Sequence, residues 1–391
     1  WAGESGWIDR KSKTQGEQAG DKTSIRLAQC IIRKIRGIKL SGKDTIGGRV
    51  SADILERFKN TICKDENGNL ISLYHWTTEI FEEFSKGEFG FHFGTLKAAH
   101  DRYLQTKEEK ADISKGIYKE VILKDEFYES LYRINKDITQ DIADEVYRKI
   151  RSFTNLELIQ ANQEFYKLLY GGVEIPIQGD RTYTAYLLDK NNIENNNFLV
   201  ANQYTIEEYK TKRPDVIIFI NGIPVVVFEL KNAMKEDTTI ENAYNQIKNY
   251  QQDIRSLFYY NAFNVICDGV NAQVGTITAD FTRYMTWKSK NGENPEDRFD
   301  QVDTLLEGVF RKDRLIDLIL NFIVYQHTET NTIKILAGYH QYFAVKKAIN
   351  STKKSLKEKT RKAGVVWHTQ GSGKSFAMVF YTGLLLKDKE L

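Results

Sequence analysis

The stretch RPDVIIFINGIPVVVFELKN, residues 213–232, constrains the fold of this chain more than any other. Two runs of β-branched and aromatic residues flank an Asn-Gly dipeptide, a pattern that predicts a β-hairpin. The ends of this hairpin nevertheless carry charge, with Asp215 before the first run and Glu229 and Lys231 closing the second. A buried charge is costly unless it is paired or bound to a metal. The three side chains therefore either lie at a solvated rim or converge on a ligand.

The length of the hairpin loop decides whether the two acidic residues meet. With a two-residue loop, Asp215 would face Phe228. A three-residue loop, residues 221–223, starts the second strand at Pro224 and sets Asp215 opposite Glu229. Pro224 lacks an N–H donor and suits a first strand position better than the interior of a ladder. We therefore predict the three-residue loop or an equivalent bulge.

An Asp at the start of one strand and Glu-x-Lys at the end of its partner form the layout of a PD-(D/E)xK nuclease. Two carboxylates at one point can hold a divalent metal that polarises a phosphodiester and activates water. Carboxylate and water oxygens suit Mg²⁺. Lys231 lies two residues after Glu229, on the same strand face, where it could orient the water or stabilise developing charge. The alternative is a surface hairpin with charged ends.

The segment after the hairpin, ENAYNQIKNYQQDI, predicts a helix that carries Gln246 and Tyr250 one turn apart. Such a pair could brace the lysine or contact a phosphate near the cleft. The alternative is an ordinary helix with a half-buried tyrosine. If the hairpin is a nuclease site, this pair belongs to it.

The most specific motif is AGVVWHTQGSGKSFAMVFYTGLLL, residues 363–386, which predicts a strand, a glycine-rich loop and a helix. In this setting backbone N–H groups and a helix N-terminus bind phosphates, and the alternative is a chance glycine turn. His368 stands where the strict pattern has glycine, a departure that resembles helicase superfamily 2. No DExx motif follows in the sequence, so we expect the N-terminal portion of a longer motor, unable to hydrolyse ATP by itself. The predicted ATP-binding residues are Thr369, Gly371, Ser372, Gly373, Lys374, which would reach the β- and γ-phosphates, and Ser375, which would ligate Mg²⁺.

Over roughly residues 130–391 the chain resembles the R (restriction) subunit of type I restriction-modification enzymes. The resemblance rests on the hairpin, the Gln246–Tyr250 helix, the phosphate loop, and the stretches NNNFLVANQYT and ILAGYHQYFAVKKAI. It implies a DNA endonuclease domain joined to an ATP-driven DNA translocase, with Mg²⁺ and ATP as cofactors. It also implies double-stranded DNA as substrate and methyltransferase (M) and specificity (S) subunits as partners. By the same resemblance, Gln341 would contact adenine and Glu164, on a helix, would assist metal binding.

The first 127 residues lie outside this resemblance. Residues 57–103 resemble ADP-ribosyltransferase-type domains of phage and mobile-element polyproteins, which implies an NAD site with His75 at the ribose and Tyr103 stacked on nicotinamide. Trp76 replaces the glycine of that pattern, and the pattern does not place the catalytic glutamate, for which Glu126 is a candidate. A catalytically silent accessory or DNA-contacting module is the alternative. The function hypotheses are therefore an endonuclease, an ADP-ribosyltransferase, and a non-catalytic DNA-binding fragment.

We expect an α/β protein: a PD-(D/E)xK core, in which helices flank a mixed sheet, follows a small α+β domain and precedes the start of a RecA-like helicase domain. The expected domains are 1–127, 128–290, a helical connector at 291–350, and 351–391.

Three scattered cysteines and the absence of a membrane-length apolar run favour a cytoplasmic protein without a membrane partner. The net charge is only +3, but residues 351–362 hold six basic residues against one acid and could contact phosphates or form a solvated face.

Overall fold

The computed structural model describes residues 116–153, 155–177, 180–231, 239–268, 271–296 and 301–388, all of which belong to one compact unit. The predictions for His75 and Tyr103 lie outside these residues, as does most of the predicted first domain. No helix in these ranges is both long and apolar enough to span a bilayer.

Helices form where apolar residues recur every three to four positions and bury one face. In the second helix, Ala143, Val146 and Tyr147 are buried, and the Thr139 hydroxyl caps the start by accepting a hydrogen bond from the Ile142 N–H. The α-helices in the described ranges are α1 (Lys124–Ile134), α2 (Gln140–Lys149), α3 (Leu158–Gly171), α4 (Ile240–Asp253), α5 (Gln301–Val309), α6 (Lys312–Asn321), α7 (Tyr339–Lys357) and α8 (Lys374–Lys387).

The strands form a central six-stranded sheet and three small ones. They are β1 (Ile117–Tyr118), β2 (Val173–Ile177), β3 (Arg181–Ala185), β4 (Phe198–Asn202), β5 (Thr205–Glu207), β6 (Thr211–Lys212), β7 (Val216–Ile220), β8 (Ile223–Leu230), β9 (Phe263–Cys267), β10 (Ala272–Gly275), β11 (Met285–Thr286), β12 (Ile323–His327) and β13 (Thr332–Leu336).

The central sheet has the strand order β11-β10-β9-β8-β7-β4, and the neighbouring pairs are antiparallel except for β8 and β9. A parallel pair needs a crossover, and α4 lies in the connection between these two strands. Every residue of β7, and every residue of β8 except the last, is buried. Strands covered on both faces explain why the sequence is continuously apolar here and does not alternate.

The hairpin of β7 and β8 reaches the expected register by a bulge and not by a longer loop. Asn221 and Gly222 both have positive φ, 52° and 76°, so a two-residue turn pairs Ile220 with Ile223. The predicted three-residue loop is therefore wrong, because the Asn-Gly turn already matches the twist of the strands. The register then shifts next to Phe219, leaving Val225 as the extra residue of a bulge. The predicted equivalent bulge is confirmed.

The tip of this hairpin packs tightly against the start of α1. The Leu123 N–H donates to the Gly222 carbonyl at 2.9 Å. A Cβ at Gly222 would lie 2.5 Å from the Leu123 carbonyl oxygen and 2.7 Å from the Phe127 nitrogen. Backbone atoms cannot move aside as a flexible side chain can, so this position requires glycine.

Gly222→Ala is expected to lower the free energy of unfolding by more than about 2 kcal/mol, because the left-handed backbone alone costs roughly 1–2 kcal/mol for an L-residue. Urea unfolding followed by circular dichroism measures this change. Gly171→Ala is the matched control, since nothing lies within 4 Å of a Cβ there. The control should be neutral or stabilise by about 0.5 kcal/mol, and equal destabilisation of both variants would contradict the packing described.

Residues 116–127 pack with the hairpin unit, although the expected domain boundary lies after residue 127. β1 pairs in parallel with β5, and α1 begins at Lys124 beside the hairpin tip. Glu126 accepts a hydrogen bond from the Asn197 side-chain amide, so it forms part of this packing. The unit therefore begins upstream of the expected boundary.

Two expectations for the C-terminal third differ from the structure. The connector is not wholly helical, because β12 and β13 form an antiparallel hairpin within it. The stretch before the glycine loop forms no strand, and Val365 and Trp367 are 93% and 82% exposed. A strand forms only beside another strand, and none of the described strands lies next to residues 364–367. The predicted helix after the loop is confirmed as α8.

Candidate active site

The three charged residues of the hairpin lie together at one end of the central sheet. After the bulge Val216 pairs with Phe228, so the register continues with Asp215 opposite Glu229. The Asp215 carboxylate accepts a hydrogen bond from the Leu230 N–H at 2.8 Å. The Lys231 ammonium lies 2.5 Å from Glu229 Oε1. The bulge therefore places two carboxylates and one ammonium group on the same side of the hairpin.

Glu229 is the buried member of this group, with 4% of its surface exposed. Its pKa is raised to about 7, first by burial and then by the negative charge of Asp215. Lys231 and the Tyr250 hydroxyl oppose this rise, but they do not cancel it. A cation held between the two carboxylates would remove much of the cost of keeping both ionised.

The set of donors at this point suits Mg²⁺. Within the described part of the chain, no group of three or more His, Cys, Asp or Glu residues could hold a metal. The candidate site offers two carboxylates, those of Asp215 and Glu229. Mg²⁺ is commonly bound by one or two carboxylates and completes its octahedron with water and substrate phosphates.

Helix α4 supports this site through Glu229 and not through the lysine. The Tyr250 hydroxyl donates to Glu229 Oε2 at 3.0 Å, and Gln246 hydrogen-bonds to Tyr250. Tyr250 is fully buried, not half-buried, and its pKa is raised by burial and then by the nearby Glu229 charge. The Gln246–Tyr250 pair thus fixes the orientation of the Glu229 carboxylate, and its contact with a phosphate stays a prediction.

Glu164 has a different environment. It lies on the exposed face of α3, where its ion pair is with Lys167 at 2.6 Å. The buried positions of that helix, Ala161 and Phe165 among them, face the protein interior instead. Among the described residues, the contacts of Glu164 do not reach Glu229 or Lys231. The helical period therefore turns this carboxylate to solvent, and the structure does not bring it to the site.

The predicted phosphate loop precedes α8. Gly371 and Gly373 have φ of 79° and 74°, a conformation that glycine adopts without strain. The Lys374 ammonium folds back onto the loop and donates to the carbonyls of His368 at 3.1 Å and Thr369 at 3.0 Å. The ammonium group therefore lies against the backbone of the loop, next to the N-terminus of a helix. Ser372 and Ser375 lie in the same turn, one before and one just inside α8.

Gln341 connects the start of α7 to this loop. Its Oε1 accepts from the Gly338 N–H at 2.8 Å, and its Nε2 donates to the Gly373 carbonyl at 2.9 Å. Its side chain is buried between the two segments. Gln341 thus contacts the backbone of the predicted phosphate loop.

A cavity of about 300 Å³ lies beside Gln341, and most of its lining residues were not expected from sequence. It is lined by Tyr339, His340, Phe343 and His368, among others. The His340 and His368 rings lie 5.3 Å apart, and burial, followed by the His340 charge, lowers the pKa of His368. Their position beside Gln341 and before the glycine loop was the signal that the sequence offered.

Comparison with known families gives two separate matches along the chain. Residues 97–283 match the family model of the type I restriction enzyme R protein N terminus. Residues 340–391 match the SWI2/SNF2 ATPase family. The first match contains the hairpin and α4, and the second contains Gln341 and the glycine loop.

Individual relatives agree with these matches. The type I restriction enzyme HindI endonuclease subunit of Haemophilus influenzae is 36% identical over 288 residues, covering 71% of this chain and 27% of that protein. A relative in Methanocaldococcus jannaschii is 33% identical over 302 residues, covering 70% of this chain and 28% of its own length. The chain therefore spans about a quarter of the length of the curated relatives it matches.

Proposed function

Because this chain belongs, over residues 97–283, to the family of type I restriction enzyme R protein N termini, we propose that it carries the Mg²⁺-dependent DNA endonuclease site of such a subunit. The observation that carries the proposal is the bulged hairpin, whose register sets Asp215 opposite Glu229 with Lys231 alongside. The mixed sheet with α4 in its parallel crossover supports a PD-(D/E)xK nuclease core.

In this proposal Asp215 and Glu229 hold Mg²⁺, which when bound supplies electrostatic stabilisation of a phosphoryl oxygen and lowers the pKa of a bound water. Tyr250 orients Glu229 by donating to its Oε2, so the carboxylate presents its other oxygen toward Lys231. The Lys231 ammonium, at the solvent side of Glu229, stabilises the charge that develops on the scissile phosphate. Tyr250 therefore positions the Glu229 carboxylate, and Lys231 stabilises the charge on the phosphate.

Metal removal tests the proposal directly. The chain is expected to nick or cut supercoiled plasmid DNA in excess Mg²⁺, which one or two carboxylates and substrate phosphates can bind. The same protein in excess EDTA should leave the plasmid intact, and restored Mg²⁺ should restore cutting. Binding of DNA without cutting under all metal conditions would favour the alternative, a non-catalytic DNA-binding fragment.

The glycine loop supports a second proposal, ATP binding at residues 369–375. The carrying observation is the pair of left-handed glycines around a helix N-terminus, closed on one side by Gln341. Thr369, Gly371, Ser372 and Gly373 would offer backbone groups to phosphates, and Ser375 would supply a hydroxyl to Mg²⁺. Gln341 and the adjacent cavity would contact the adenine. Coupling to ATP-driven DNA translocation, the M and S subunits as partners, and a cytoplasmic location complete the proposal.

Lys374→Ala is expected to weaken binding of a fluorescent ATP analogue at least tenfold, about 1.4 kcal/mol, because the only side-chain cation inside the loop is lost. Fluorescence anisotropy in Mg²⁺ measures the affinity. Lys354→Ala is the control, since that exposed lysine contacts Glu358 at 3.9 Å on the outer face of α7. Unchanged affinity in Lys374→Ala would contradict the assignment of the loop.

A further inference from the structure

A cluster of basic side chains follows the end of α7. We call residues 357–362 the basic turn. Lys357, Lys359, Arg361 and Lys362 are all exposed, and the single acid in the turn, Glu358, lies 3.9 Å from Lys354. Across the parts of the chain that the structure describes, none of these four cations forms an ion pair. Within the described ranges, the positive charge on this short segment is therefore not neutralised by ion pairs.

The backbone of the basic turn is well defined. The Lys359 N–H donates to the Leu356 carbonyl at 3.1 Å, and the Thr360 N–H donates to the Ser355 carbonyl at 3.0 Å. This pair of bonds is the Schellman motif that ends many helices. The hydroxyls of Ser355 and Thr360 lie 3.0 Å apart, and the Ser351 hydroxyl donates to the Ala363 carbonyl at 2.5 Å. The turn is therefore held at both ends.

Two of the cations occupy backbone positions that favour glycine. Lys359 has φ of 55°, at the helix-ending position where glycine is usual, and Arg361 has φ of 58°. A left-handed conformation is strained for a residue with a Cβ, and such strain persists where the surrounding structure imposes it, often at functional positions. Glycine at either position would relieve the strain but would remove a positive charge.

The helix dipole accounts for only part of this charge. Cations in the last turn of a helix are favoured by the negative end of the dipole, which explains Lys354 and Lys357. The effect falls off within that turn, and Arg361 and Lys362 lie beyond it. Capping of α7 therefore does not explain why the charge continues through two strained positions.

We propose that the basic turn binds the phosphate backbone of double-stranded DNA, at a surface separate from the Asp215–Glu229 site. The inference rests on the proposed function, which supplies DNA as the substrate class. Lysine ammonium groups contact phosphates as point charges, and the Arg361 guanidinium can bind two phosphate oxygens at once. Contacts of this kind read no base sequence, so the turn adds affinity and position without specificity.

The salt dependence of DNA binding tests the proposal. Binding of the 391-residue chain to a fluorescent duplex of about 30 base pairs is measured by anisotropy without divalent metal, over a range of salt concentrations. The double variant Lys359→Gln/Arg361→Gln is expected to reduce the slope of log K against log salt by about 1.8, because each phosphate contact contributes about 0.9. Lys136→Gln, an exposed lysine after α1, is the matched control and should leave the slope unchanged.

A glycine variant separates charge from stability. Lys359→Gly should lose as much DNA affinity as Lys359→Gln, yet its melting temperature should rise by about 2 °C because the left-handed strain is relieved. Loss of stability with unchanged affinity would overturn the proposal, since the lysine would then serve the fold alone. An unchanged salt slope in the double variant, or no duplex binding by the wild type, would also overturn it.

The same measurements distinguish this inference from the proposed nuclease. Asp215→Asn should retain the full salt slope even if plasmid cutting is lost. Duplex binding through the basic turn by a chain that never cuts would overturn the nuclease proposal alone. If Lys359→Gln/Arg361→Gln instead lost affinity for vesicles containing phosphatidylserine and bound the duplex as wild type does, the partner would be an anionic membrane. That result would overturn the assignment to DNA.

Discussion

Asp215→Asn is expected to reduce cleavage of double-stranded DNA by about a thousandfold or more while leaving the fold intact. An asparagine oxygen can still accept the hydrogen bond from the Leu230 N–H, so the hairpin keeps its contact. The substitution removes one of the two negative charges that would hold Mg²⁺, a contribution of several kcal/mol to the transition state. Since each 1.36 kcal/mol is tenfold in rate, a loss of about three orders of magnitude follows. Gel assays of supercoiled plasmid measure the rate.

Two further variants make this result specific. Lys231→Ala removes the cation that would face the scissile phosphate and should lower the rate by about a hundredfold. Asp137→Asn makes the same change as Asp215→Asn at an exposed turn before α2 and should cut at the wild-type rate. Melting curves of all three variants check that the fold is kept. Cutting that persists in both Asp215→Asn and Lys231→Ala would remove the metal-site assignment.

The hairpin was predictable from sequence because local and global preferences agree there. β-branched runs, an Asn-Gly turn and burial on both faces all favour the same two strands. The device that brings Asp215 opposite Glu229 was less predictable. A three-residue loop and a bulge give the same register at the charged end, and the structure has a two-residue turn followed by a bulge at Val225.

Contacts between elements were harder to predict than the elements themselves. Periodicity places Gln246 and Tyr250 on one face of α4, but it does not show which group on the sheet they contact. The structure shows that Tyr250 meets Glu229. Similarly, the segment around Val365 has the composition of a strand, but composition does not supply a strand beside it.

Lys334 shows where pattern reasoning fails. Alternation in TIKIL would place its two isoleucines inward and the lysine outward, yet Lys334 is buried in β13. Its ammonium donates to Asn162 Oδ1 at 2.8 Å and to the Asn261 carbonyl at 2.6 Å, and burial lowers its pKa well below the usual range. These partners of Lys334 lie on α3 and in the loop before β9, far from it in sequence, so the local sequence does not predict them.

Glu229→Gln is expected to change how stability depends on pH. The pKa of Glu229 is about 7 in the folded protein, raised from 4.5 by burial and by Asp215. Below pH 4.5 the carboxyl is protonated in both the folded and unfolded states, and its stabilising contribution is fully present. Between pH 4.5 and pH 7 the Glu229 carboxyl is ionised in the unfolded chain but stays protonated in the folded protein. This contribution to stability is therefore lost as pH rises. The shift corresponds to about 3 kcal/mol, because one pKa unit is 1.36 kcal/mol.

The difference in unfolding free energy between wild type and Glu229→Gln, measured by urea titration without metal, should therefore fall by about 3 kcal/mol from pH 4 to pH 8. Other titrating groups occur in both proteins and cancel in this difference. Glu164→Gln is the control, because it makes the same change at an exposed carboxyl that pairs with Lys167 on α3. Mg²⁺ at pH 8 should stabilise wild type more than Glu229→Gln, because only the wild type offers both carboxylates to the cation. If the free energies of unfolding of wild type and Glu229→Gln changed with pH in parallel, ionising Glu229 would cost the folded protein little free energy. A bound cation would then have no unfavourable buried charge to stabilise.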